Sequence, residues 1–508
     1  MAVDARETEI KYEATAGTSL PSFDDLPQVA RTRGAADEKL DAEYFDTGDL
    51  RLIRAGITLR RRQGGHDAGW HLKVPAGNHT RREIRLPLGR PGERVPEELA
   101  RLVRVHTRGE ELRPVAMIST RRRRLLLLDG SGESLAEVAS DDVTARAVGE
   151  PARRSQWQEV EVELTGGDRD TLAAADRLLR REGLNRAAQS PKLARALGLP
   201  EPEQEPDPES SLRRSAPAGQ VIIGYLSAQL GALKELDPMV RGGEPDSVHQ
   251  MRTTARRLRS TLQSFSRFFT PSLTEPLSAE LRWFGGVLGE ARDAEVLAAH
   301  MARHVSQIPA ELVVGPVMAR VRGHFAKVGA DAQAGVLDAL DSPRYFALLD
   351  RLDQLVNSPP DTDLSGRPAG DVLPAAARRT YTRTRRRMKR ALRTPPGDRR
   401  DMALHRARKA AKRARYAGEA VAPPFGKDAS GFARQMKRLQ SVLGEHQDAV
   451  IARELERDLG MRAHLAGENA FSYGLMYERD SQQADRLAER ARRNWRKASR
   501  TRHRRWLR

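Results

Sequence analysis

Near the start of the chain, Glu7 Thr8 Glu9 Ile10 Lys11 places two carboxylates and an amine at alternate positions. In an extended strand, residues i, i+2 and i+4 share a face. Glu7, Glu9 and Lys11 therefore point one way, and Ile10 and Tyr12 the other. Charges in such a row are tolerated where water, counter-ions or a metal neutralise them. Taken by itself, the stretch also describes a solvated polar face near a terminus.

Charged alternation returns along the first 165 residues. Arg60 and Arg62 alternate on one strand, Lys73 lies on the next, and Arg81 and Arg82 open another beside Glu83. Arg121 to Arg124 form a basic run, and Glu159, Glu161 and Glu163 alternate on a final strand. If these strands close into a barrel, one interior wall is acidic and much of the rest cationic, unlike a hydrophobic core. Guanidinium forks grip phosphate oxygens in pairs, so a cationic interior suits a multiply charged phosphate chain. Glu7, Glu9, Glu159 and Glu161 suit one or two hard cations, because Mg or Mn prefers oxygen ligands and bridges carboxylates to substrate phosphates.

A second constellation lies in the later half as an internal repeat. Val248 His249 Gln250 Met251 Arg252 leads into Ala255 Arg256 Arg257 Leu258 Arg259, and Leu404 His405 Arg406 Ala407 Arg408 into Ala411 Lys412 Arg413 Ala414 Arg415. Basic residues follow each histidine by three, seven and ten positions: Arg252, Arg256 and Arg259, then Arg408, Lys412 and Arg415. At 3.6 residues per turn these share one helical stripe. Met251, Leu258, Leu262 and Phe265 form a separate apolar stripe, leaving the basic one free to face a shared groove. Each copy reaches a second landmark, Leu288 Gly289 Glu290 Ala291 Arg292 Asp293 and Leu443 Gly444 Glu445 His446 Gln447 Asp448, with His and Asp 44 and 43 residues apart. Asp293 and Asp448 are expected to pair with Arg across helices.

The elements that position these groups follow from pattern. From Glu7 to about Leu164, short β-like runs separated by Gly, Pro and Asp predict a meandering antiparallel sheet or barrel, with Val115 to Thr120, Leu125 to Leu128 and Ser134 to Ala139 among the runs. Thr171 to Glu182 reads as an amphipathic helix, and Ser190 Pro191 opens another. The acidic proline-rich tract from Leu199 to Glu209 is an extended linker. From about Pro217 the chain is all-α, and a loop around Pro359 to Gly370 splits it into two related bundles. The basic stretch from Arg490 to Arg508 reads as a fraying helix, a disordered arm or a polyanion clamp.

Composition fits this division. The 508 residues include 39% hydrophobic and 31% charged side chains, enough for several real cores. A formal net charge of +19 calls for a polyanionic partner. No cysteine is present, which excludes disulfides, Cys-based zinc sites and thiol chemistry. No signal region or membrane span is evident. Aromatic residues at 5%, with no base-stacking motif, argue against nucleic-acid binding.

With Tyr44 Phe45 Asp46 Thr47, Thr58 Leu59 Arg60 Arg61 Arg62, Leu72 Lys73, Arg82 Glu83, and Trp157 Gln158 Glu159 Val160 Glu161 Val162 Glu163 added to the opening motif, residues 3–200 resemble a CYTH domain, the triphosphate tunnel metalloenzyme fold. The helical half, about 217–500, resembles a CHAD domain, the conserved-histidine α-helical domain. The first resemblance implies an eight-stranded antiparallel tunnel with flanking helices. Glu7, Glu9, Glu159, Glu161 and Glu163 would then be metal ligands, and Lys11, Arg60, Arg62, Lys73, Arg82 and Arg122 would hold phosphates, with Glu7, Glu9 and Lys11 at the catalytic centre. It also implies Mg or Mn. Where many tunnel enzymes carry another carboxylate two residues past Glu83, this chain has Arg85, which leaves the metal count open. The second resemblance implies binding of inorganic polyphosphate by His249, Arg252, Arg256, Arg259, His405, Arg408, Lys412 and Arg415.

The expected organisation is thus a CYTH tunnel at 3–200, a linker at 201–214, and a CHAD region at 217–500 with repeats at about 217–356 and 372–500, ending in a basic tail at 490–508. The expected activity is metal-dependent hydrolysis of inorganic triphosphate or short polyphosphate, coupled to polyphosphate binding. A non-catalytic polyphosphate-binding scaffold is the alternative, and adenylate cyclisation or thiamine triphosphate hydrolysis would share the tunnel. A bacterial, cytoplasmic protein associated with polyphosphate granules is expected; the pattern does not set an oligomeric state.

Overall fold

The computed structural model describes residues 3–15, 18–75, 80–90, 92–149, 153–187, 191–200, 212–360 and 362–507, with 3–7 as backbone alone. The chain divides into two compact units, Met1–Gln204 and Glu205–Arg508. Most of the expected linker, 201–211, lies outside the described residues.

The first unit contains strands β1 (Val3–Ala14), β2 (Arg31–Gly34), β3 (Glu38–Asp46), β4 (Thr58–Gln63), β5 (Gly69–Pro75), β6 (Thr80–Leu86), β7 (Arg113–Leu128), β8 (Ser134–Ala147), β9 (Arg154–Leu164) and β10 (Asn185–Arg186). Helices α1 (Arg51–Arg54), α2 (Glu97–Thr107), α3 (Arg169–Arg181) and α4 (Lys192–Leu197) complete it. Eight strands follow the antiparallel order β1-β6-β5-β4-β3-β7-β8-β9, and β9 pairs back onto β1 to close a barrel; β2 and β10 add to β7 and β1. Closure leaves no open edge among those eight strands.

Strand alternation separates the two faces of this barrel. Outward residues make ordinary apolar cores: Leu59, Trp70, Leu72 and Ile84 pack with Leu99 and Val103 of α2, while Tyr12, Val138, Val160 and Val162 pack with Leu172 and Leu179 of α3. Asp168 caps α3 by accepting from the Thr171 amide at 2.9 Å. The inward residues are charged along much of the barrel. One interior end is apolar instead, with Tyr44, Ile118, Val143 and Trp157 packed on Leu193 and Ala196 of α4. Two expected runs, Val115 to Thr120 and Leu125 to Leu128, are one continuous strand, and β8 continues eight residues past its expected end at Ala139.

The second unit is helical: α5 (Ala218–Arg241), α6 (Ser247–Ser264), α7 (Pro271–Ser306), α8 (Val317–Leu340), α9 (Pro343–Asn357), α10 (Ala369–Ala391), α11 (Asp398–Ala420), α12 (Ala422–Leu465) and α13 (Phe471–Ala498). Each half opens with the same tripeptide, Pro217 Ala218 Gly219 and Pro368 Ala369 Gly370, and the two openings pair antiparallel. Ala218 N–H donates to Arg367 O and Ala369 N–H to Ala216 O, both at 2.8 Å. A Cβ on Gly219 would meet the Ser365 Cβ at 2.8 Å, so this close approach requires glycine. The reciprocal bonds describe a local twofold relation between the repeats.

Met251, Leu258, Leu262 and Phe265 are buried, as the apolar stripe of α6 requires. The basic chain end is folded through Leu507: after α13 come two 3-10 turns, and Trp506 packs against Phe425 and Phe432 with ring centroids at 5.3 and 5.8 Å. No described helix is long and apolar enough to cross a membrane.

Candidate functional site

The charged barrel interior is built by register. Lys11 of β1 lies opposite Glu161 of β9, and Arg122 of β7 lies opposite Asp141 of β8. Three buried carboxylates, Asp141, Glu159 and Glu161, each offer an oxygen within 4.8 Å of the others. Three cations enclose them. Lys11 Nζ donates to Glu161 at 2.5 Å and lies 3.5 Å from Glu9. Arg122 forks onto Asp141 at 2.8 and 2.7 Å and reaches Glu161 at 2.6 Å. Lys192, the first residue of α4, stands 2.9, 2.6 and 2.8 Å from Asp141, Glu159 and Glu161.

The electrostatics follow from these contacts. Burial alone would raise Glu161, but Lys11, Lys192 and Arg122 outweigh it and hold this carboxyl well below its ordinary range. Burial would lower Lys11, yet Glu161 and Glu9 outweigh it and raise the amine. In this arrangement Lys11 is a protonated charge and not a base.

The opposite wall is cationic. Arg60 donates to the Tyr44 hydroxyl at 3.2 Å. Arg62 pairs with Asp67, and burial, then Arg60 and Arg122, bring its guanidinium down to about 9. Lys73 Nζ lies 3.6 Å from Glu83, whose carboxylate also engages His71 Nδ1 at 2.8 Å. Arg85 pairs with the same carboxylate.

Several expected residues are placed differently. Arg82 is in register with Val74, which packs on the outer α2 core, so Arg82 faces away from the interior; Arg81 shares the inward face with Glu83. The strand alternation there is offset by one from the expectation. Glu9 and Glu163 are outside the three-carboxylate cluster, Glu9 joining it through Lys11. Glu7 lies on β1 in register with Arg81, and its side chain is outside the described residues.

In the helical unit, α6 and α11 bring Arg252, Arg256, Arg408 and Lys412 into one field. Burial, then Arg256, Arg408 and Arg252, lower the Lys412 amine to about 6. Burial, then Arg252, lower Arg256 to about 10. Arg252 forks onto Asp293 at 2.8 and 3.3 Å, the expected cross-helix pair. Gly289 makes room for it, since a Cβ there would sit 3.2 Å from the guanidinium; at Gly444 a Cβ would only touch Arg408 at 3.5 Å, an ordinary contact. His249 and His405 flank this field, both lowered first by burial and then by neighbouring cations. Arg415 stands apart, held by Glu419 at 2.6 Å and Gln440 at 3.1 Å, whereas Arg259 adds to the field, lowering Arg256, and has Arg282 and Arg413 as further cationic neighbours.

The CYTH domain profile matches residues 5–193 and the CHAD domain profile residues 224–457. An uncharacterized protein of Mycobacterium tuberculosis is 38% identical over 498 residues, covering 95% of this chain and 94% of its own. The chain belongs to this CYTH–CHAD family. Among solved structures, the CHAD domain from the plant Ricinus communis is 26% identical, covering 56% of this chain and 93% of that one, with a TM-score of 0.44. A Hippeastrum protein, described as revealing a dominant triphosphatase activity, is 15% identical over 39% of this chain and all of its own, with a TM-score of 0.24.

CYTH domains bind triphosphate substrates and are typically metal-dependent phosphohydrolases or cyclases. The CYTH tunnel of this chain fits such a metal: its buried cluster offers only oxygen donors, the set a hard dication prefers. Sequence reasoning passed over two residues of this cluster. Asp141 lies beyond the expected end of its strand, in Ser140 Asp141 Asp142, which resembles a turn. Lys192 follows the helix-opening Pro191 and was legible only as a helix start. Its signal is a lysine at the mouth of a short apolar helix.

Proposed function

We propose that the CYTH tunnel hydrolyses inorganic triphosphate or short polyphosphate with Mg or Mn, and that the CHAD unit binds longer polyphosphate. The supporting observation is the juxtaposition, inside one closed barrel, of Asp141, Glu159 and Glu161 with a wall of Arg60, Arg62, Lys73 and Arg122. Carboxylates repel phosphate unless a cation intervenes, so a pure phosphate binder gains nothing from them. Asp141, Glu159 and Glu161 would hold the metal, with Glu9 beside them through Lys11. A dication bound there supplies charge neutralisation and polarises a phosphoryl oxygen.

The chain's own residues do the rest. Arg60, Arg62 and Lys73 bind non-bridging phosphate oxygens and align the chain for in-line attack. Arg122 and Lys192, released from carboxylates as substrate enters, stabilise charge on the transferring group. Lys11, held protonated, donates to the phosphate and leaves deprotonation of water to another group. The apolar end under α4 excludes water behind the site.

Phosphate release from tripolyphosphate by the purified full chain tests this reading, with ATP and thiamine triphosphate as competitors. Metal-dependent turnover that falls at least about 100-fold in Asp141→Asn and Glu161→Gln is the expected result. Unchanged turnover in both variants, or none in the native protein, overturns it.

A further inference from the structure

Within the helical unit, α7 carries His300 and His304 one turn apart, with ring centroids at 4.1 Å. Asp480 of α13 meets both: His300 Nε2 lies 3.2 and 2.9 Å from its two oxygens, and His304 Nδ1 lies 3.4 Å from one. Glu456 of α12 approaches from the third side, its Oε1 3.9 Å from His304 Nδ1. We propose that His300, His304 and Asp480, whose ligand atoms lie within 4.8 Å of one another, form with the adjacent Glu456 a site for a transition-metal dication of the zinc class, joining the first repeat to the second.

Asp480 and Glu456 are fully buried. Among the described residues, neither Glu456 oxygen nor His304 Nδ1 meets a donor or acceptor in good geometry, and the acid that Glu456 stands against is another carboxylate, Asp480. Burial of an unpartnered carboxyl is costly. Asp480 is met by both imidazoles, but Glu456 stands beside it with no cation of its own. The tunnel meets the same difficulty with Lys11, Lys192 and Arg122. Here no lysine or arginine pairs with either acid among the described residues, and a dication accounts for the gap.

Donor type selects the metal. Two imidazoles at i, i+4 on one helix with two carboxylates favour Zn and its neighbours over Mg, which takes oxygen. Met301, Val305, Leu459 and Met476 pack around the site and lower its dielectric. His300 and His304 remain 17% and 13% exposed, which leaves a way in from solvent.

The test uses the full chain, stripped with a chelator and titrated with Zn²⁺ and with Co²⁺, whose visible absorption strengthens on four-coordinate, tetrahedral ligation. The native protein is expected to take up one more equivalent than His300→Gln/His304→Gln, with the cobalt band lost in that variant. Zinc should raise the melting temperature of the native protein, reversibly with chelator, and not that of the variant. Asp141→Asn/Glu161→Gln should keep both signals. Glu456→Gln, nearly isosteric, guards against misfolding and should weaken cobalt binding at least about tenfold. Equal stoichiometry in native and histidine variants, a band that follows the tunnel substitutions, or no band in the native protein overturns the proposal.

Discussion

Lys412 sits where the cations of the two repeats crowd together, and its amine is held near 6 by burial and by Arg256, Arg408 and Arg252. In the unfolded chain the same amine titrates near the ordinary lysine value. Between those two values the unfolded state binds the extra proton, so stability of the helical unit rises with pH from about 6 upward and falls as acid charges the amine. Lys412→Met should flatten that dependence and raise neutral-pH stability by at least about 1 kcal/mol, read from urea denaturation at several pH values. A polyanion reverses the balance by drawing the proton in. Polyphosphate affinity should therefore climb as pH falls from 8 toward 6, by up to about tenfold per unit, and this slope should vanish in Lys412→Met. In the tunnel, Lys192→Met removes a shared cation from three buried carboxylates and should cost about 3 kcal/mol. Added Mg²⁺ should recover most of that loss in thermal unfolding, because a dication serves the same acids.

Elements decide which of these charges meet. Gly289 on α7 leaves room for Arg252 of the facing α6. Gly289→Ala should displace Arg252 and weaken polyphosphate binding several-fold while leaving the melting temperature nearly unchanged, measured by isothermal titration. The two Leu-Gly-Glu landmarks were readable from their spacing, and so was the barrel, because strict alternation carried one charged and one apolar face. Local parity was harder. Arg121 to Arg124 looked like an interruption between two strands, yet Arg122 and Arg124 point inward onto Asp141 and Glu137, each opposed by a carboxylate that keeps the strand continuous. The same misreading ended β8 early and hid Asp141. A pair such as Arg81 and Arg82 offers two candidates one residue apart, and only the neighbouring strand says which faces inward.

Across the whole molecule, a net charge of +19 is distributed unevenly: the tunnel interior nearly balances its cations with acids, whereas in the helical unit Arg256 and Lys412 make no ion pair among the described residues and Asp448 only partly offsets the cations around Lys412. Polyphosphate binding should thus weaken steeply with added salt, and Arg256→Ala/Lys412→Met should shallow that slope. The basic chain end contributes differently. Trp506 docks on the core through Phe425 and Phe432, so removing residues 499–508 should lower stability of the helical unit by about 2–4 kcal/mol, visible in chemical denaturation. The paired Pro-Ala-Gly openings have a consequence of another kind. Their reciprocal bonds have the symmetry of a contact between two identical chains, yet both partners here belong to one polypeptide. Covalent connection turns what would be an encounter between molecules into a fixed high local concentration. The basic field therefore stays assembled at any dilution, and the polyanion binding proposed for it would be a property of each single chain.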